Sequence, residues 1–210
     1  MQITTIIVGP FAVNCYLLVC PQTKEAVIID PGDDAERLVN TLHEQRIQTI
    51  RALITHAHLD HIGGLSDLAS EFAVDISLHP ADHSLYQRLP DQGFRFGRHF
   101  QKPPTVTHLL HEGDWVSLGK TALRVIHTPG HTPGGICFLA EKDKILFTGD
   151  TLFAGSIGRT DLEGGNESTL LHSIHSKLLS LPDDMVVYPG HGPETTIGGE
   201  RRSNPFLQSA

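Results

Sequence analysis

The chain has 210 residues, 39% apolar and 19% charged with no low-complexity run, which excludes a disordered polymer and suits one globular domain with a sizeable core. A formal charge of −8, from 16 Lys plus Arg against 24 Asp plus Glu, with the basic residues scattered, argues against a nucleic-acid partner. The apolar runs fall far short of the ~18–20 residues a membrane span needs, and the first ten residues lack a basic signal-peptide start, so we expect no membrane partner and a cytoplasmic address.

In chain order, residues 3–8, 14–19 and 25–30 are β-rich runs broken by Gly9-Pro10 and Pro21, which reads as an antiparallel meander. Asp33 and Asp34 are placed to cap an amphipathic helix over residues 35–46, with Leu38, Val39 and Leu42 on one face. A strand over 49–54 runs into a polar, histidine-rich loop. Then come a helix over 64–72, a short strand at 76–78 and a helix over 82–88. Residues 90–104, from Pro90 to Pro104, carry two Gly, three Pro and Phe94, Phe96 and Phe100; they read as a long loop, either a substrate lid or a connector. The second half returns to β-rich runs at 105–109, 115–118, 122–127, 135–139 and 144–147, then a helix over 167–179 and a strand at 185–188. Two βαβ-like halves follow, which suit two sheets packed face to face with helices outside. No linker divides the chain, so one domain over residues 1–210 is expected. Cys15, Cys20 and Cys137, without a CxxC spacing, read as reduced and buried.

Fourteen histidines point to where the chemistry lies. In Thr55-His56-Ala57-His58-Leu59-Asp60-His61-Ile62-Gly63-Gly64, four candidate ligands fall within six residues, between an apolar strand and a helix. One histidine is usually a hydrogen-bonded core or surface group. A cluster would need a separate partner for each ring, whereas a divalent cation satisfies several at once through N and O donors at ~2.0–2.2 Å. The H-x-H-x-D-H spacing lets one tight turn direct its first two ligands to one ion and its last two to another. Three further strand ends run into Gly-containing turns with a candidate ligand: His131 in His127-Thr128-Pro129-Gly130-His131-Thr132-Pro133-Gly134, Asp150 in Thr148-Gly149-Asp150, and His191 in Pro189-Gly190-His191-Gly192. Each is weak alone. Together they supply enough donors for two ions with one carboxylate bridging.

The T-H-x-H-x-D-H loop, P-G-H-T-P-G, T-G-D and P-G-H-G-P, in this order, resemble the metallo-β-lactamase fold superfamily, and within it the short glyoxalase II-like (hydroxyacylglutathione hydrolase-like) enzymes. The resemblance runs from Asn14-Cys15-Tyr16-Leu17 to Ser203-Asn204-Pro205-Phe206. It implies an α/β fold, a four-layer αββα sandwich in a single domain. It also implies that His56, His58 and His131 hold one metal, that Asp60, His61 and His191 hold a second, and that Asp150 bridges. His127 does not occupy the ligand place of its motif and reads as structural. The longer glyoxalase II enzymes grip glutathione with a C-terminal helical domain, for which no equivalent is expected here, leaving Arg159 and Arg201 as candidates for substrate binding.

The activity implied is hydrolysis of a small-molecule thioester of the S-lactoylglutathione type by a metal-bridging hydroxide, with Asp60 and Asp150 as catalytic carboxylates. The cofactors implied are two divalent ions, zinc first, with iron or manganese also compatible with this ligand set. The rival within the scaffold is a mononuclear-iron persulfide dioxygenase using His56, His131 and Asp150, a reading that the Gly158-Arg159-Thr160-Asp161 sequence also suits. Another ester or lactone is the remaining substrate class. A binding module with structural metals would call for closed four-coordinate sites, against which an open seven-ligand cluster argues.

Overall fold

A computed structural model describes residues 1–208. Strands β1 (Gln2–Val8), β2 (Val13–Val19) and β3 (Ala26–Ile29) form the opening antiparallel meander, and β4 (Thr49–Leu53), β5 (Ala73–Leu78) and β6 (His108–Leu109) extend it in parallel to a six-stranded sheet of order β1-β2-β3-β4-β5-β6. Between these strands lie helices α1 (Ala35–Glu44), α2 (Leu59–Ile62), α3 (Leu65–Glu71), α4 (His83–Gln87) and α5 (Leu89–Arg95).

The second sheet combines β7 (Trp115–Leu118), β8 (Thr121–His127), β9 (Ile136–Ala140) and β10 (Ile145–Gly149) with two later strands, β13 (Val186–Pro189) and β14 (Thr195–Thr196). Its order is β14-β13-β10-β9-β8-β7. Only β10 and β13 run parallel, so the second half repeats the βαβ pattern of the first only once. A separate hairpin, β11 (Leu152–Phe153) with β12 (Ser156–Ile157), and helices α6 (Glu167–Ser173) and α7 (Ile197–Ser203) complete the chain.

Three buried clusters correspond to the three interfaces of a four-layer sandwich. Strand β2 shows how one strand serves two of them. Cys15, Leu17 and Val19 face Leu38, Leu42, Leu65 and Leu68 of α1 and α3, while the alternate residues Tyr16 and Leu18 meet Val125, Phe138 and Phe147 of the other sheet. On the far side, Leu170, Ile174 and Ile197 pack on Leu139, Leu146 and Val187. The αββα architecture implied by the motifs is therefore the one observed, and all three cysteines are free and buried. Among the described residues, no helix is long and apolar enough to cross a membrane.

Several local expectations change. Asp34 precedes α1 but does not cap it: with φ 48° its carboxylate turns away and accepts from the Gly9 N–H at 3.0 Å, while Asp33 accepts from the Asp34 N–H. Helix α1 ends at Glu44, short of residue 46. The long loop expected over residues 90–104 begins with α5, because Pro90 falls in the first turn, where its missing N–H costs no helical hydrogen bond. The metal-motif loop contains the one-turn helix α2, and the helix expected over 167–179 continues beyond α6 as a π-helical turn at Ile174–Leu178.

Candidate metal centre

The floor of the site is assembled at one end of the two sheets. Past β4, the Thr55 N–H and hydroxyl both donate to Asp30 at the end of β3, at 2.8 and 2.6 Å, which pins the loop as it leaves the sheet. His56 and His58 follow directly, and α2 then projects Asp60 and His61 from one turn. From the second sheet, His131 comes from the β8–β9 loop, Asp150 from the end of β10 and His191 from the end of β13. The close approach of the last two depends on Gly190, where a Cβ would lie 2.2 Å from Asp150 Oδ1.

The donors converge as two groups. His56, His58 and His131 form one and Asp60, His61 and His191 the other, the ligand atoms of each lying within 4.8 Å of one another. Asp150 stands between them, with Oδ1 3.4 Å from His61 Nε2 and Oδ2 3.7 and 3.5 Å from His131 Nε2 and His191 Nε2. Asp30, His56 and His61 also cluster, but both Asp30 oxygens already accept hydrogen bonds from Thr55 and His61, so Asp30 supports the site without facing it.

In four of the five rings the nitrogen turned away from the centre is held by an acceptor. His61 Nδ1–H donates to Asp30 at 2.9 Å, His131 Nδ1–H to the Arg159 carbonyl at 2.7 Å and His191 Nδ1–H to the Phe11 carbonyl at 2.9 Å. The Thr55 hydroxyl, having given its proton to Asp30, accepts from His56 Nδ1–H at 3.1 Å. Each Nε2 is thus turned to the centre, where, once free of any proton, it offers the lone pair a metal ligand needs. His58 instead turns Nδ1 inward, 2.9 Å from His131 Nε2. Buried His56 Nε2, His61 Nε2 and Asp150 Oδ1 have no hydrogen-bond partner at all. Orphaned donor atoms of this kind at one point fit divalent cations.

The electrostatics agree. Burial, and then the neighbouring rings, hold His56 well below the usual imidazole range, and burial with His131 pulls His58 down to about 3, so both remain neutral. Burial also depresses His61 and His191, but carboxylates outweigh it. Asp150, Asp60 and Asp30 push His61 up to about 9, and Asp150 with Asp60 pushes His191 up to about 10. Burial opposes ionisation of Asp150, yet His61, His191 and His131 hold its carboxyl well below the usual range. The carboxylate side of the floor thus demands positive charge.

Above the floor opens a cavity of about 430 Å3, a size suited to a small organic ligand. Phe11, Leu85, Phe96, Phe153, Ile157 and Leu162 form apolar walls, and Arg88, Arg95 and Arg159 stand among them. Arg159 lines this cavity, though its guanidinium is held by Asp161 through two 2.7 Å bonds. Arg201 does not line it. Its guanidinium donates to the Leu179 and Leu181 carbonyls and pairs with Asp183, fastening α7 to the segment after the π-helical turn. His127 likewise lies outside the donor groups, with Nε2 donating to the Pro133 carbonyl at 3.0 Å and its ring stacked on His79 at 4.0 Å. The motifs did not reveal Gln92, which accepts from Leu59 N–H and donates to the Ala57 carbonyl, or Arg88 and Arg95. All three lie on or beside a helix that the sequence presents as a loop.

The model of the metallo-β-lactamase superfamily matches residues 8–191. Among curated proteins, a hydroxyacylglutathione hydrolase GloC of Haemophilus influenzae is 43% identical, the match covering 100% of this chain and 99% of that one. Among solved structures, the BLEG-1 B3 metallo-β-lactamase has a TM-score of 0.92 at 40% identity, covering 99% of this chain and 100% of the other. TTHA1623 in a di-iron-bound form has a TM-score of 0.89 at 38% identity, covering 97% and 100%. Together, the matched model, these relatives and the donor cluster support a metal-dependent hydrolase, and the chain belongs to the metallo-β-lactamase superfamily.

Proposed function

We propose that the chain is a binuclear metallohydrolase that cleaves a small-molecule thioester of the hydroxyacylglutathione type, releasing a 2-hydroxy acid and a thiol. The observation that carries the reading is the floor itself: two histidine-containing donor groups with orphaned atoms and a carboxylate between them, under a cavity of substrate size. The similarity to a hydroxyacylglutathione hydrolase supports the choice of substrate.

His56, His58 and His131 would hold one ion, Asp60, His61 and His191 the other, with Asp150 between. Two divalent cations bound there, zinc being the first choice and iron or manganese compatible with the same ligands, would supply a water of pKa near ~7 and a Lewis acid for the carbonyl. The protein's part is placement. The apolar walls shed water from around the acyl group and strengthen the electrostatic interactions at the floor. Asp60, whose Oδ2 lies 3.5 Å from His191 Nε2, is placed to accept a hydrogen bond from the attacking water and orient it. The leaving thiol, with an ordinary pKa near ~8.5, departs as thiolate without a strong general acid, and the site presents none. Arg95 and Arg159 line the same cavity and bring positive charge to which the carboxylates of a glutathione thiol portion are complementary.

A mononuclear-iron oxygenase needs only His56, His131 and Asp150. It would leave the buried, partnerless His61 Nε2 without a role, which favours the two-ion reading. The test is elemental analysis of purified protein beside cleavage of S-lactoylglutathione. Two metals per chain and chelator-sensitive turnover are expected. One iron per chain with oxygen consumption on a persulfide substrate would overturn the proposal.

A further inference from the structure

The two loops that carry the first donor group are joined by one buried carboxylate outside that group. Asp82 closes the short 3-10 turn Pro80–Asp82 after β5 and is 1% exposed. Its Oδ2 accepts from the Ala57 N–H at 3.0 Å, between His56 and His58, and from the Thr132 hydroxyl at 2.8 Å, next to His131. Its Oδ1 accepts from the Gly134 N–H at 2.6 Å. A single oxygen atom therefore ties the His56–His58 backbone, 25 residues before Asp82, to the His131 loop, 50 residues after it. Nothing comparable joins Asp82 to Asp60, His61 or His191.

The fit leaves no slack. A Cβ on Gly134 would come within 2.6 Å of both the Asp82 backbone nitrogen and its carboxyl carbon, so the loop approaches this closely only because residue 134 has no side chain. Buried carboxylates without charged partners are costly and are kept where several donors converge on them. Here the converging donors are two backbone N–H groups and the Thr132 hydroxyl, drawn from two ligand loops.

From this arrangement we infer that Asp82 is a positioning residue for the His56–His58–His131 metal site and governs that site's affinity separately from the Asp60–His61–His191 site. The inference rests on the two-ion reading above. Supporting contacts one step removed from a metal are worth ~10–100-fold in affinity. Asp82→Ala removes all three acceptor contacts. Asp82→Asn keeps one oxygen and must leave at least one N–H or O–H facing its new amide, and Thr132→Val removes a single contact while preserving the carboxylate.

The experiment is cadmium titration of the metal-free protein, with a chromophoric competitor for affinity and 113Cd NMR to identify the ion. His58→Ala and His191→Ala serve as references for loss of each site. We expect the parent to bind two ions. Asp82→Ala should weaken one of them at least about tenfold, leaving a signal that matches His58→Ala and not His191→Ala, with Asp82→Asn and Thr132→Val graded between. If Asp82→Ala does not fold, those two milder variants decide. Two parent-like affinities, or equal weakening of both ions in variants of native circular dichroism, would overturn the inference. Should the parent bind a single ion, the two-ion reading falls, and the inference stands only if the Asp82 variants weaken that ion.

Discussion

At the scale of single residues, the nitrogen a histidine offers the centre is decided by what its other nitrogen touches, and this separates ligands from their neighbours more sharply than sequence motifs do. His131 and His127 lie four residues apart in one motif, yet His131 gives Nδ1–H to a carbonyl and bares Nε2 to the centre, while His127 gives Nε2–H to Pro133. Asp150→Ala removes the carboxylate that faces both donor groups. It should lower metal stoichiometry and cut kcat/KM by more than the ~10–100-fold expected for loss of an outer partner. His127→Ala should keep its metal and lose about 1 kcal/mol of stability with the hydrogen bond, to be read by elemental analysis and denaturant titration. Acid should act on the same stack. Burial, then His127, His111 and Lys177, lower the His79 pKa to about 4, and its ordinary value is 6.5. A depressed pKa means the folded protein holds this ring neutral, so the stability it confers is complete above about pH 6.5 and is lost as pH falls through 4. His79 is only partly buried and solvent screens it, so His79→Gln should flatten the pH dependence of the unfolding free energy, read by denaturant titration, across that window by on the order of 1 kcal/mol.

At the scale of elements, α5 lines one side of the cavity, and on the proposed function it faces the substrate. Arg88 is held by Glu163 and Arg159 by Asp161, but no side-chain hydrogen bond or ion pair among the described residues engages Arg95, which also lines the cavity. Arg95→Ala should raise KM for S-lactoylglutathione about two- to fivefold, as expected for a solvent-exposed ion pair. Little change in kcat is expected, and a neutral thioester should be unaffected. Steady-state kinetics on both substrates checks this, and an equal effect on the two would remove Arg95 from recognition. This helix is also where the sequence is hardest to read. Pro90, Gly93 and Gly97 mimic loop composition, though a proline in the first helical turn costs nothing. The ligands were legible because their types and spacing are local: four lie within six residues and each of the others follows an apolar strand into a glycine turn. The paired sheets were legible from strand alternation and breakers. Asp30, Asp82 and Gln92 left no such trace, since the ligand-loop groups they hold lie 25 or more residues away and carry no pattern along the chain. Arg201, a candidate only because no glutathione-gripping domain is expected, does not line the cavity, and its guanidinium is engaged by the Leu179 and Leu181 carbonyls.

At the scale of the molecule, the centre is a cross-link. His56, His58, Asp60 and His61 extend from the first sheet, whereas His131, Asp150 and His191 extend from the second. Neither set is complete without the other half of the chain, since the first donor group needs His131 and the second needs His191. An unfolded chain keeps only the local His56–His61 cluster together, so ions bind the folded state far better and stabilise it by mass action. At free metal a hundredfold above Kd the gain is ~2.7 kcal/mol, and for a chain of this length each kcal/mol moves Tm by about 2–4 °C. That gain is per site, so stripping both ions should lower Tm by roughly 10–20 °C, about half from each, and returning the metal should restore it in proportion to the logarithm of its concentration. His191→Ala, which opens one donor group and leaves the other intact, should recover only part of that shift. Differential scanning calorimetry across a metal series tests this; an unchanged Tm on chelation would mean the two sheets hold their ligands in place unaided and that the ions contribute chemistry alone.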